Sequence, residues 1–597
     1  MKRDNCGELK KEHEGKTVHL AGWVSARRDH GGLIFVDLRD SSGIVQLSFN
    51  ADENPEVFKI AEKIRLEYVV EVIGEVALRG EKNRNPNMPT GDVEIIAKKL
   101  EILNTTDPLP FNITGDEEAT EEVRFQYRYL DLRRQKMQNA LRFRYKVSRV
   151  MREFLDSEGF IEVETPILTK STPEGARDYL VPSRKIPGNF FALPQSPQQF
   201  KQMLQTAGIE KYFQFARCFR DEDQRGDRQP EFTQLDIEAS FVEEQDIMQL
   251  TENLLQTTMQ KTMNIDLKLP LPRLTFNEAM KRFGTDSPDT RFGLELFDIS
   301  EIASQTDFKI FKNALENNGS VRGICAPNAA KQFSRKKITE LETELKAQFP
   351  RVQGLLWAKL ENDKLTGGVA KFFDAKLTEQ LVTKAKAQNG DIMFFIADKN
   401  EVVFEGLGNL RVWLARKLEL IPAKQFNFLW ITDFPMFEFS EEENRFVAKH
   451  HPFTQPKITS YDELREPANI KARAYDLVLN GVEIAGGSIR IHKPEMQYEI
   501  FKALGFTKEQ TDERFGHLIK ALRFGTPPHG GIAWGFDRFV MLLLGLNTIR
   551  DVIAFPKTLQ SKCLLTDAPS AIEAKQLAEL SLKFIPHTND SETEKTA

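Results

Sequence analysis

A long predicted β-hairpin over residues 212–241 carries polar side chains that could bind a nucleotide. Its strands read YFQFARCFR and EFTQLDIEASF, and the polar loop DEDQRGDRQP joins them. Strand alternation places Phe232 and Asp236 on one face, opposite an apolar face. The forked donors of Arg220 and Arg228 suit phosphate, and the ring of Phe232 suits adenine. A cross-strand salt bridge is the commoner explanation for an arginine and an acid in such a hairpin.

A second predicted hairpin, YDLVLNGVEIAGGSIRIH, turns at Asn480-Gly481, the strongest two-residue hairpin signal. In that register Asp476 and Glu483 lie diagonally on one face. Two like charges so close repel each other unless a cation lies between them, and Mg²⁺ with nucleotide phosphates is the usual candidate. The letters AGG that follow predict a bulge or a close approach of the backbone to a ligand. An exposed charged hairpin would also explain the two carboxylates, but it explains poorly an arginine, Arg490, between two isoleucines.

A third segment, PPHGGIAWGFDRFVMLLLG, begins rich in glycine and continues into an apolar helix. Arg538 falls in the first turn of that helix. A phosphate bound there would meet both the guanidinium group and the helix N-terminus. Simple capping of a buried helix is the alternative, and the segment alone does not choose between them.

Along the chain, the first predicted structural unit is an N-terminal β-barrel. Five β-rich runs, with one helix between the third and the fourth, follow the element order of an OB barrel. The predicted strands are 17–24, 33–39, 44–49, 68–76 and 93–100, and the predicted helix is 55–64. Alternation leaves Phe35 and Gln46 on a polar face, where they could stack on a single-stranded base and read its edge. Closure of a barrel end by Phe35 is the more common arrangement.

An aperiodic stretch over residues 104–122 predicts a hinge, and a strongly basic run follows it. Between Arg124 and Arg152 there are ten basic residues and one acid, Asp131. The later part of the run predicts a helix with one apolar side. Such a run is usually a solvated helix face, but beside an OB barrel it could contact a phosphate backbone.

Residues 287–420 predict a separate α+β unit without a catalytic constellation. The predicted helices are 339–349 and 377–388, and the predicted strands are 354–359 and 391–397. The last dozen residues, PHTNDSETEKTA, predict disorder.

Composition excludes several classes of protein. The chain has 597 residues with 82 basic and 88 acidic side chains, a net charge of −6, and a length that suggests about four domains. Its content of 40% hydrophobic and 28% charged residues excludes disordered and fibrous proteins. The apolar runs are shorter than the ~20 residues of a membrane span, and MKRDNCGELK has no signal-peptide core. Four dispersed cysteines argue against a zinc module or disulfides, so we expect a cytoplasmic protein without a membrane association.

Taken in order, these stretches resemble the three signature motifs of class II aminoacyl-tRNA synthetases. GFIEVETPILT resembles motif 1, FRDEDQRGDRQPEFTQLD motif 2 and GFDR motif 3. TPEGARDYLVPS, ALPQSPQQFKQ, HHPFT and GGSIRIH are similar to the aspartyl-tRNA synthetases of the bacterial type. The similarity runs over residues 6–568.

The resemblance implies a multidomain fold of α/β and all-β parts. These are a five-stranded OB barrel that binds the anticodon, a catalytic domain built on an antiparallel sheet, and an inserted α+β domain. The implied boundaries are 1–105 for the barrel, 106–135 for the hinge, 136–286 and 421–560 for the two catalytic parts, 287–420 for the insert, and 561–597 for a C-terminal extension with a disordered tail. A homodimer is also expected.

The implied activity is the ATP-dependent ligation of L-aspartate to tRNA through an aspartyl-adenylate, with release of pyrophosphate and AMP. Arg220 and Arg538 are the implied catalytic residues, and Asp476 and Glu483 the implied Mg²⁺ ligands. The implied aspartate-binding residues are Glu174, Gln198, Lys201, Arg220, Asp236, His450, His451 and Arg490. The implied ATP-binding residues are Arg220, Asp221, Glu222, Arg228, Gln229, Phe232, Glu483, Gly535, Phe536, Asp537 and Arg538.

The implied anticodon contacts leave the choice of tRNA open. They are Arg28, His30, Phe35, Gln46, Arg79, Lys82 and Glu94. His30 resembles enzymes that also charge the tRNA for asparagine, whereas Lys82 resembles the pattern specific for aspartate. In the catalytic domain, Ala485 stands where the family often has glycine.

Two alternatives to this activity are weaker. A relative that activates asparagine or lysine would leave the cations Lys201 and Arg490 without a matching substrate group. A catalytically silent RNA-binding paralogue would typically lose phosphate-binding arginines or metal-binding carboxylates, and this chain keeps both kinds.

Overall fold

The computed structural model of the chain describes residues 3–114, 119–171, 175–441 and 443–585. The chain divides into two compact units, Met1–Arg134 and Gln135–Ala597. The predicted disordered tail, residues 586–597, lies outside the described residues. Among the helices that are described, none is both long enough and apolar enough to cross a membrane.

The first unit is a closed barrel of five strands in the order β1-β2-β3-β5-β4. Its elements are β1 (Thr17–Asp29), β2 (Leu33–Arg39), β3 (Ile44–Asn50), α1 (Pro55–Ala61), β4 (Val69–Leu78), β5 (Val93–Asn104), α2 (Glu121–Gln126) and α3 (Arg128–Asp131), with short 3₁₀ helices at Cys6–Glu8, Lys11–His13 and Glu81–Asn83. The five predicted strands and the helix between the third and the fourth are confirmed. Ile34, Val36 and Leu38 are buried and Phe35 is half-buried, because side chains alternate between the two faces of a strand.

Part of the predicted hinge is tied to the barrel within this unit. Glu67 is 4% exposed. Its carboxylate accepts hydrogen bonds from Arg39 at 2.8 Å and from Arg133 at 2.9 Å. The guanidinium of Arg133 also lies 5.5 Å from the ring centroid of Trp23. We call the group Arg39, Glu67 and Arg133 the barrel latch.

Most of the basic run is engaged in ion pairs inside the protein. Asp131 is fully buried and is approached by the guanidinium groups of Arg124, Arg128 and Arg134. Further along the run, protein partners are also present for Arg144, Lys146, Arg149 and Arg152. These pairings favour a structural role for the run over contact with a phosphate backbone.

The second unit begins with the elements that carry the first two motifs. They are α4 (Gln135–Ser157), β6 (Ile161–Glu162), β7 (Leu180–Pro182), β8 (Phe190–Ala192), α5 (Gln198–Thr206), β9 (Lys211–Phe219), β10 (Glu231–Ser240), α6 (Glu244–Met263), β11 (Arg273–Thr275) and α7 (Phe276–Phe283). The predicted hairpin is confirmed, since β9 and β10 pair antiparallel with Phe232 opposite Cys218. The apolar face of β10 and the apolar side of α4 belong to one hydrophobic core.

The predicted α+β insert is a sheet of five antiparallel strands in the order β12-β13-β16-β14-β15. Its elements are β12 (Phe297–Asp298), α8 (Ser300–Ala303), α9 (Lys309–Glu316), β13 (Ser320–Ala326), α10 (Arg335–Gln348), β14 (Leu356–Glu361), β15 (Lys364–Thr366), a 3₁₀ helix (Ala370–Phe372), α11 (Ala375–Ala385), β16 (Ile392–Asp398) and α12 (Asn400–Lys417). The sequence did not predict α12. This helix packs closely on the chain segment that enters the insert. A Cβ atom at Gly408 would lie only 2.7 Å from the carbonyl oxygen of Gly284, so a larger residue at position 408 would clash with that segment.

The remaining elements complete an antiparallel-rich sheet of eight strands in the order β11-β17-β20-β21-β22-β10-β9-β6. They are β17 (Phe428–Thr432), β18 (Phe437–Ser440), β19 (Arg445–Ala448), β20 (Ala474–Leu479), β21 (Val482–Ile489), α13 (Pro494–Ala503), α14 (Lys508–Leu522), β22 (His529–Gly535), α15 (Phe536–Leu543) and α16 (Ala574–Glu579), with 3₁₀ helices at Tyr461–Arg465, Pro467–Asn469 and Ile549–Val552. The sheet order brings β21 and β10 to either side of β22. Motifs far apart in the sequence therefore share one sheet face.

Candidate active site

A cleft of about 560 Å³ is formed over the middle strands of the eight-stranded sheet. The predicted site residues that line it are Gln198, Arg220, Glu222, Arg228, Gln229, Phe232, His450, His451, Glu483, Gly535, Asp537, Arg538 and Arg490. One predicted residue, Glu174, lies outside the described residues. The cleft thus brings together side chains from all three segments that the sequence singled out.

Four buried charges lie together next to the cleft, and one of them, Arg490, lines it. We call them the charge quartet: Lys201, Asp236, Glu238 and Arg490. All four are at most 2% exposed. Lys201 Nζ donates to Asp236 Oδ1 at 2.6 Å and lies 3.1 Å from Glu238 Oε2. Arg490 Nε donates to Glu238 Oε1 at 3.0 Å. Two cations and two anions therefore balance each other in a region from which water is excluded.

The two carboxyl groups of the quartet respond differently to their surroundings. Burial raises the pKa of Asp236, and the Lys201 ammonium offsets only part of that increase. Burial also opposes ionisation of Glu238, but Arg490 and Lys201 outweigh it and lower the pKa of Glu238 to about 2. Glu238 is therefore the firmly ionised member that holds both cations in place.

A neutral histidine completes the cation end of the cleft. Arg490 Nη1 lies 2.7 Å from His451 Nε2, so this ring nitrogen accepts the hydrogen bond. Burial and the charge of Arg490 hold the pKa of His451 well below its usual range. Arg490 Nη1 also donates to Ser488 Oγ at 2.5 Å. Arg490 is thus fixed in a single orientation toward the cleft.

The second hairpin brings two carboxylates together over a glycine. Val478 pairs with Glu483 as predicted, but a register shift follows, so that Asp476 lies opposite Gly486. The irregularity leaves Ile484 as the extra residue, one position before the predicted AGG. A Cβ atom at Gly486 would lie 2.9 Å from Asp476 Oδ1 and 3.3 Å from Glu483 Oε1. A side chain at this position would crowd both carboxylates, so glycine allows them to approach each other.

These carboxylates have the properties of a cation site. Glu483 is exposed to the cleft, and repulsion from Asp476, together with enclosure by the surrounding side chains, raises its pKa to about 7. Asp476 Oδ1 is buried and accepts no hydrogen bond from the described residues. No cluster of three or more metal-ligating side chains occurs in the described part of the chain, so the other ligands of a Mg²⁺ ion would come from phosphate and water.

Arginine side chains stand at the two ends of the nucleotide region. The guanidinium of Arg220 lies 5.2 Å from the ring centroid of Phe232. Arg228 pairs with Glu222 at 3.0 Å. As predicted, Arg538 lies in the first turn of α15, where its Nη1 donates to the carbonyl oxygen of Glu483 at 2.9 Å. The guanidinium-bearing side chains of Arg220, Arg228 and Arg538 therefore line a single cleft.

Three of the predicted nucleotide residues, Asp537, Phe536 and Gln229, have contacts within the protein that engage their side chains, and a fourth, Asp221, makes a backbone contact. Asp537 accepts hydrogen bonds from Arg144 and from the backbone N–H of Thr233 at 2.7 Å. Phe536 is buried against Phe215, with ring centroids 5.1 Å apart. The side-chain amide of Gln229 exchanges hydrogen bonds with the backbone of Lys557. Asp221 is exposed, and its backbone N–H donates to the carbonyl oxygen of Arg177 at 3.1 Å. Gln229 and Asp537 also line the cleft, and ligand contact by these four residues stays a prediction.

The predicted anticodon residues form a polar network on one face of the barrel. Arg28 donates to both carboxylate oxygens of Asp37, at 2.7 and 2.9 Å, and reaches Gln46 Oε1 at 3.2 Å. Gln46 in turn donates to Glu94 at 3.3 Å. The rings of His30 and Phe35 meet edge to face at 5.9 Å. An aromatic pair beside oriented polar groups is suited to a single-stranded base.

Two further predicted barrel residues differ in exposure. Arg79 is buried and its Nε donates to the carbonyl oxygen of Val93 at 2.9 Å, so it supports the barrel wall. Lys82 is exposed in the 3₁₀ helix Glu81–Asn83.

Comparison with known proteins identifies the family. Residues 120–559 match the family model described as tRNA synthetases class II (D, K and N), and residues 18–103 match the OB-fold nucleic acid binding domain. The chain belongs to the class II aminoacyl-tRNA synthetases. The first match covers the whole of the candidate active site.

Relatives of this synthetase extend over nearly its full length. The aspartate–tRNA(Asp/Asn) ligase of Geobacillus sp. (strain WCH70) is 53% identical over 578 residues, which is 97% of each chain. The aspartate–tRNA(Asp/Asn) ligase of Caldanaerobacter subterraneus is 52% identical over 580 residues, with coverage of 97% of this chain and 98% of that one. The predicted resemblance to bacterial aspartyl-tRNA synthetases is confirmed.

Solved structures agree with the synthetase fold. The asparaginyl-tRNA synthetase from Pyrococcus horikoshii complexed with asparaginyl-adenylate superposes with a TM-score of 0.59 at 21% identity, covering 94% of this chain and 98% of that chain. The aspartyl-tRNA synthetase from Entamoeba histolytica gives a TM-score of 0.55 at 20% identity, with 93% and 91% covered. At these identities the likeness shows the fold, and it confirms the predicted fold class.

The synthetase cleft also contains side chains that the sequence patterns did not identify. Glu238 lies on the same strand face as Asp236, so alternation was the signal that could have found it. Asp227 pairs with Arg538 at 3.1 Å, and Lys557 pairs with Glu231 at 2.6 Å. These pairs join segments far apart in the sequence, and no local pattern indicates them.

Proposed function

We propose that the chain ligates L-aspartate to tRNA, using ATP and an aspartyl-adenylate intermediate. The observation that carries the proposal is the charge quartet, in which Arg490 lines the cleft and Lys201 is buried beside it, both of them paired with Glu238. A substrate side-chain carboxylate would share these cations with Asp236 and Glu238. A lysine side chain would meet like charges there, and the amide of asparagine would leave the cations poorly paired. The names of the close relatives agree with aspartate as the substrate.

The chain contributes to adenylate formation by positioning and by charge. An oxygen of the aspartate α-carboxylate attacks the α-phosphorus of ATP, and the bond to pyrophosphate breaks. Arg220 lies where it can contact both the carboxylate and the α-phosphate, while Phe232 offers a stacking face for adenine. Arg538 and the N-terminus of α15 would hold the terminal phosphate. No protein nucleophile is needed, so catalysis consists of orientation and stabilisation of phosphoryl charge.

Transfer to tRNA completes the reaction. A hydroxyl of the terminal ribose attacks the carbonyl carbon of the adenylate, and AMP leaves. We further propose that Asp476 and Glu483 hold Mg²⁺, which supplies positive charge against the nucleotide phosphates when it is bound. Convergence of both carboxylates over Gly486 supports this assignment.

The activity is tested by aspartate-dependent exchange of labelled pyrophosphate into ATP. We expect exchange with aspartate, and exchange with asparagine or lysine lower by a factor on the order of 10⁴, because a buried polar pocket rejects substrates that leave it unpaired. Equal exchange with asparagine would contradict the proposed pocket. Absence of exchange with every amino acid would favour the alternative of a silent RNA-binding paralogue.

We infer that the enzyme accepts the tRNAs for aspartate and for asparagine. The names of the Geobacillus and Caldanaerobacter relatives carry both specificities, and His30 occupies a position that resembles such enzymes. In aminoacylation of the two purified tRNAs side by side, we expect aspartate to be attached to both. Charging of the aspartate tRNA alone would instead show that Lys82 and its neighbours impose strictness.

We propose a homodimer in the cytoplasm, where tRNA and ATP are available. The motif 1 segment supports the dimer, since Ile161, Ile167 and Leu168 are each at least 50% exposed. Apolar side chains clustered on a surface commonly mark a contact with another chain.

A further inference from the structure

The insert is attached to the catalytic sheet through residues 286–293, which we call the linker segment. On α12, the side chain of Arg411 is 1% exposed. Its Nη2 donates to the carbonyl oxygens of Asp289 at 2.8 Å, Phe292 at 3.0 Å and Gly293 at 2.9 Å. The guanidinium carbon also lies 4.2 Å from the ring centroid of Phe292. One buried arginine therefore fixes the path of the linker segment.

The linker segment packs directly on the turn of the hairpin formed by β20 and β21. Gly481 in that turn has a φ of +87°, and a Cβ atom there would lie 3.0 Å from Asp289 Cβ. Thr290 Oγ1 accepts a hydrogen bond from Asn427 Nδ2 at 3.4 Å, and the backbone N–H of Asn427 donates to Asn480 Oδ1 at 2.9 Å. The turn is thus braced by the linker segment both directly and through Asn427.

The side chain of Asp289 is itself held within the linker segment. Arg291 Nη2 donates to Asp289 Oδ2 at 2.6 Å, and the backbone N–H of Arg291 donates to Oδ1 at 3.0 Å. Asp289 is buried. A rigid surface, rather than a mobile loop, therefore faces the turn.

The same hairpin carries the two carboxylates of the candidate cation site. Glu483 follows the turn by two residues, and Asp476 lies on the opposite strand. Because the geometry of the turn sets the register of a hairpin, a shift of the turn would change the distance between these side chains.

We propose that Arg411 is a positioning residue for the nucleotide half of the cleft. It holds the linker segment, the linker segment braces the turn, and the turn sets the approach of Asp476 to Glu483. The insert thereby acts as a scaffold for nucleotide binding, a role that no motif within it indicates. The kinetic part of the test rests on the proposed function, whereas the structural part does not.

The test compares Arg411→Lys with the wild type. Lysine keeps the charge but lacks the planar fork that serves several carbonyl oxygens at once. We expect faster backbone hydrogen–deuterium exchange across β20 and β21 in the ligand-free protein. We also expect the Kd for ATP in excess Mg²⁺, measured by calorimetry, to rise by about tenfold or more, as for other residues that orient ligand-binding groups. The KM for aspartate in pyrophosphate exchange should not change.

A matched control removes a different arginine of the same insert. Arg351 forms an exposed ion pair with Glu405 at 2.8 Å, so Arg351→Ala should leave hairpin exchange and ATP affinity at wild-type values. Unchanged hairpin exchange and ATP affinity in folded Arg411→Lys would overturn the proposal, and so would equal weakening of ATP and aspartate binding. If Arg411→Lys does not fold, Thr290→Val tests the contact between the linker segment and Asn427, and unchanged hairpin exchange and ATP affinity in that variant would likewise overturn the proposal. If only the proposed function is wrong, the wild type will lack pyrophosphate exchange. The effects of Arg411→Lys on hydrogen–deuterium exchange of the hairpin and on the Kd for ATP will still be observed.

Discussion

Replacing Arg220 with alanine lowers aspartate-dependent pyrophosphate exchange by about 10³-fold or more, the effect of removing an arginine that stabilises a phosphoryl transition state. Arg220 lies in the cleft with its guanidinium beside the ring of Phe232, and it is the residue proposed to contact both the carboxylate nucleophile and the α-phosphate. Its guanidinium contributes charge and orientation that water cannot replace there. We expect the loss in the rate of exchange at saturating substrate as well as in kcat/KM.

The control is Arg225→Ala, which removes an exposed arginine from the same loop. It should retain wild-type exchange, and thermal denaturation should show both variants folded, because Arg220 is only half-buried. Exchange by Arg220→Ala within a few-fold of the control would refute the assigned role.

Replacing Lys201 with methionine destabilises the protein and removes aspartate binding together. The substitution leaves Asp236 and Glu238 with one cation fewer in a buried setting, and breaking a buried ion pair typically costs about 3–5 kcal/mol in the free energy of unfolding. The same loss removes a cation from the proposed carboxylate pocket. Urea denaturation and aspartate titration of the folded fraction measure the two effects.

The stability of the Lys201→Met variant should also depend on pH with a defined sign. Burial already raises the pKa of Asp236, and Lys201 is the neighbour that lowers it most. Without that ammonium, folded Asp236 binds its proton more tightly than the unfolded chain does, so stability falls as pH rises through the folded-state pKa. Lys261→Met, at an exposed position in the last turn of α6, should show neither the loss of stability nor this pH dependence. A pH profile identical to that of the control would contradict the assignment.

Features set by local geometry were predictable from the sequence. Alternation in a strand has a period of two, so the buried face of β2 and the polar face of β10 follow directly from residue order. An Asn-Gly turn fixes hairpin register, which is why the convergence of Asp476 and Glu483 was predicted before the fold was known. The sequence predicts a bulge within the letters AGG, and the structure has it one position earlier, at Ile484. Glycine permits a bulge nearby but does not determine at which residue it forms.

Features set by distant pairing were not predictable. Glu238 meets Arg490 across 252 residues of sequence, and only the order of strands in the sheet makes them neighbours. The ion pairs of the basic run were not predictable for a related reason. Charge counting cannot show that three arginines surround a single buried aspartate, Asp131. The long helix α12 and its Arg411 were missed because their partners lie in the linker segment, outside any local pattern.

The barrel latch has a consequence for moving anticodon-binding modules between synthetases. A recombinant barrel that stops at residue 105 lacks Arg133, and the nearly inaccessible Glu67 then keeps only Arg39 as its partner. A fragment that continues through residue 134 retains both arginines and the contact with Trp23. Crossover points for chimeric enzymes should therefore lie after residue 134. The predicted hinge then stays with the barrel that its Arg133 contacts.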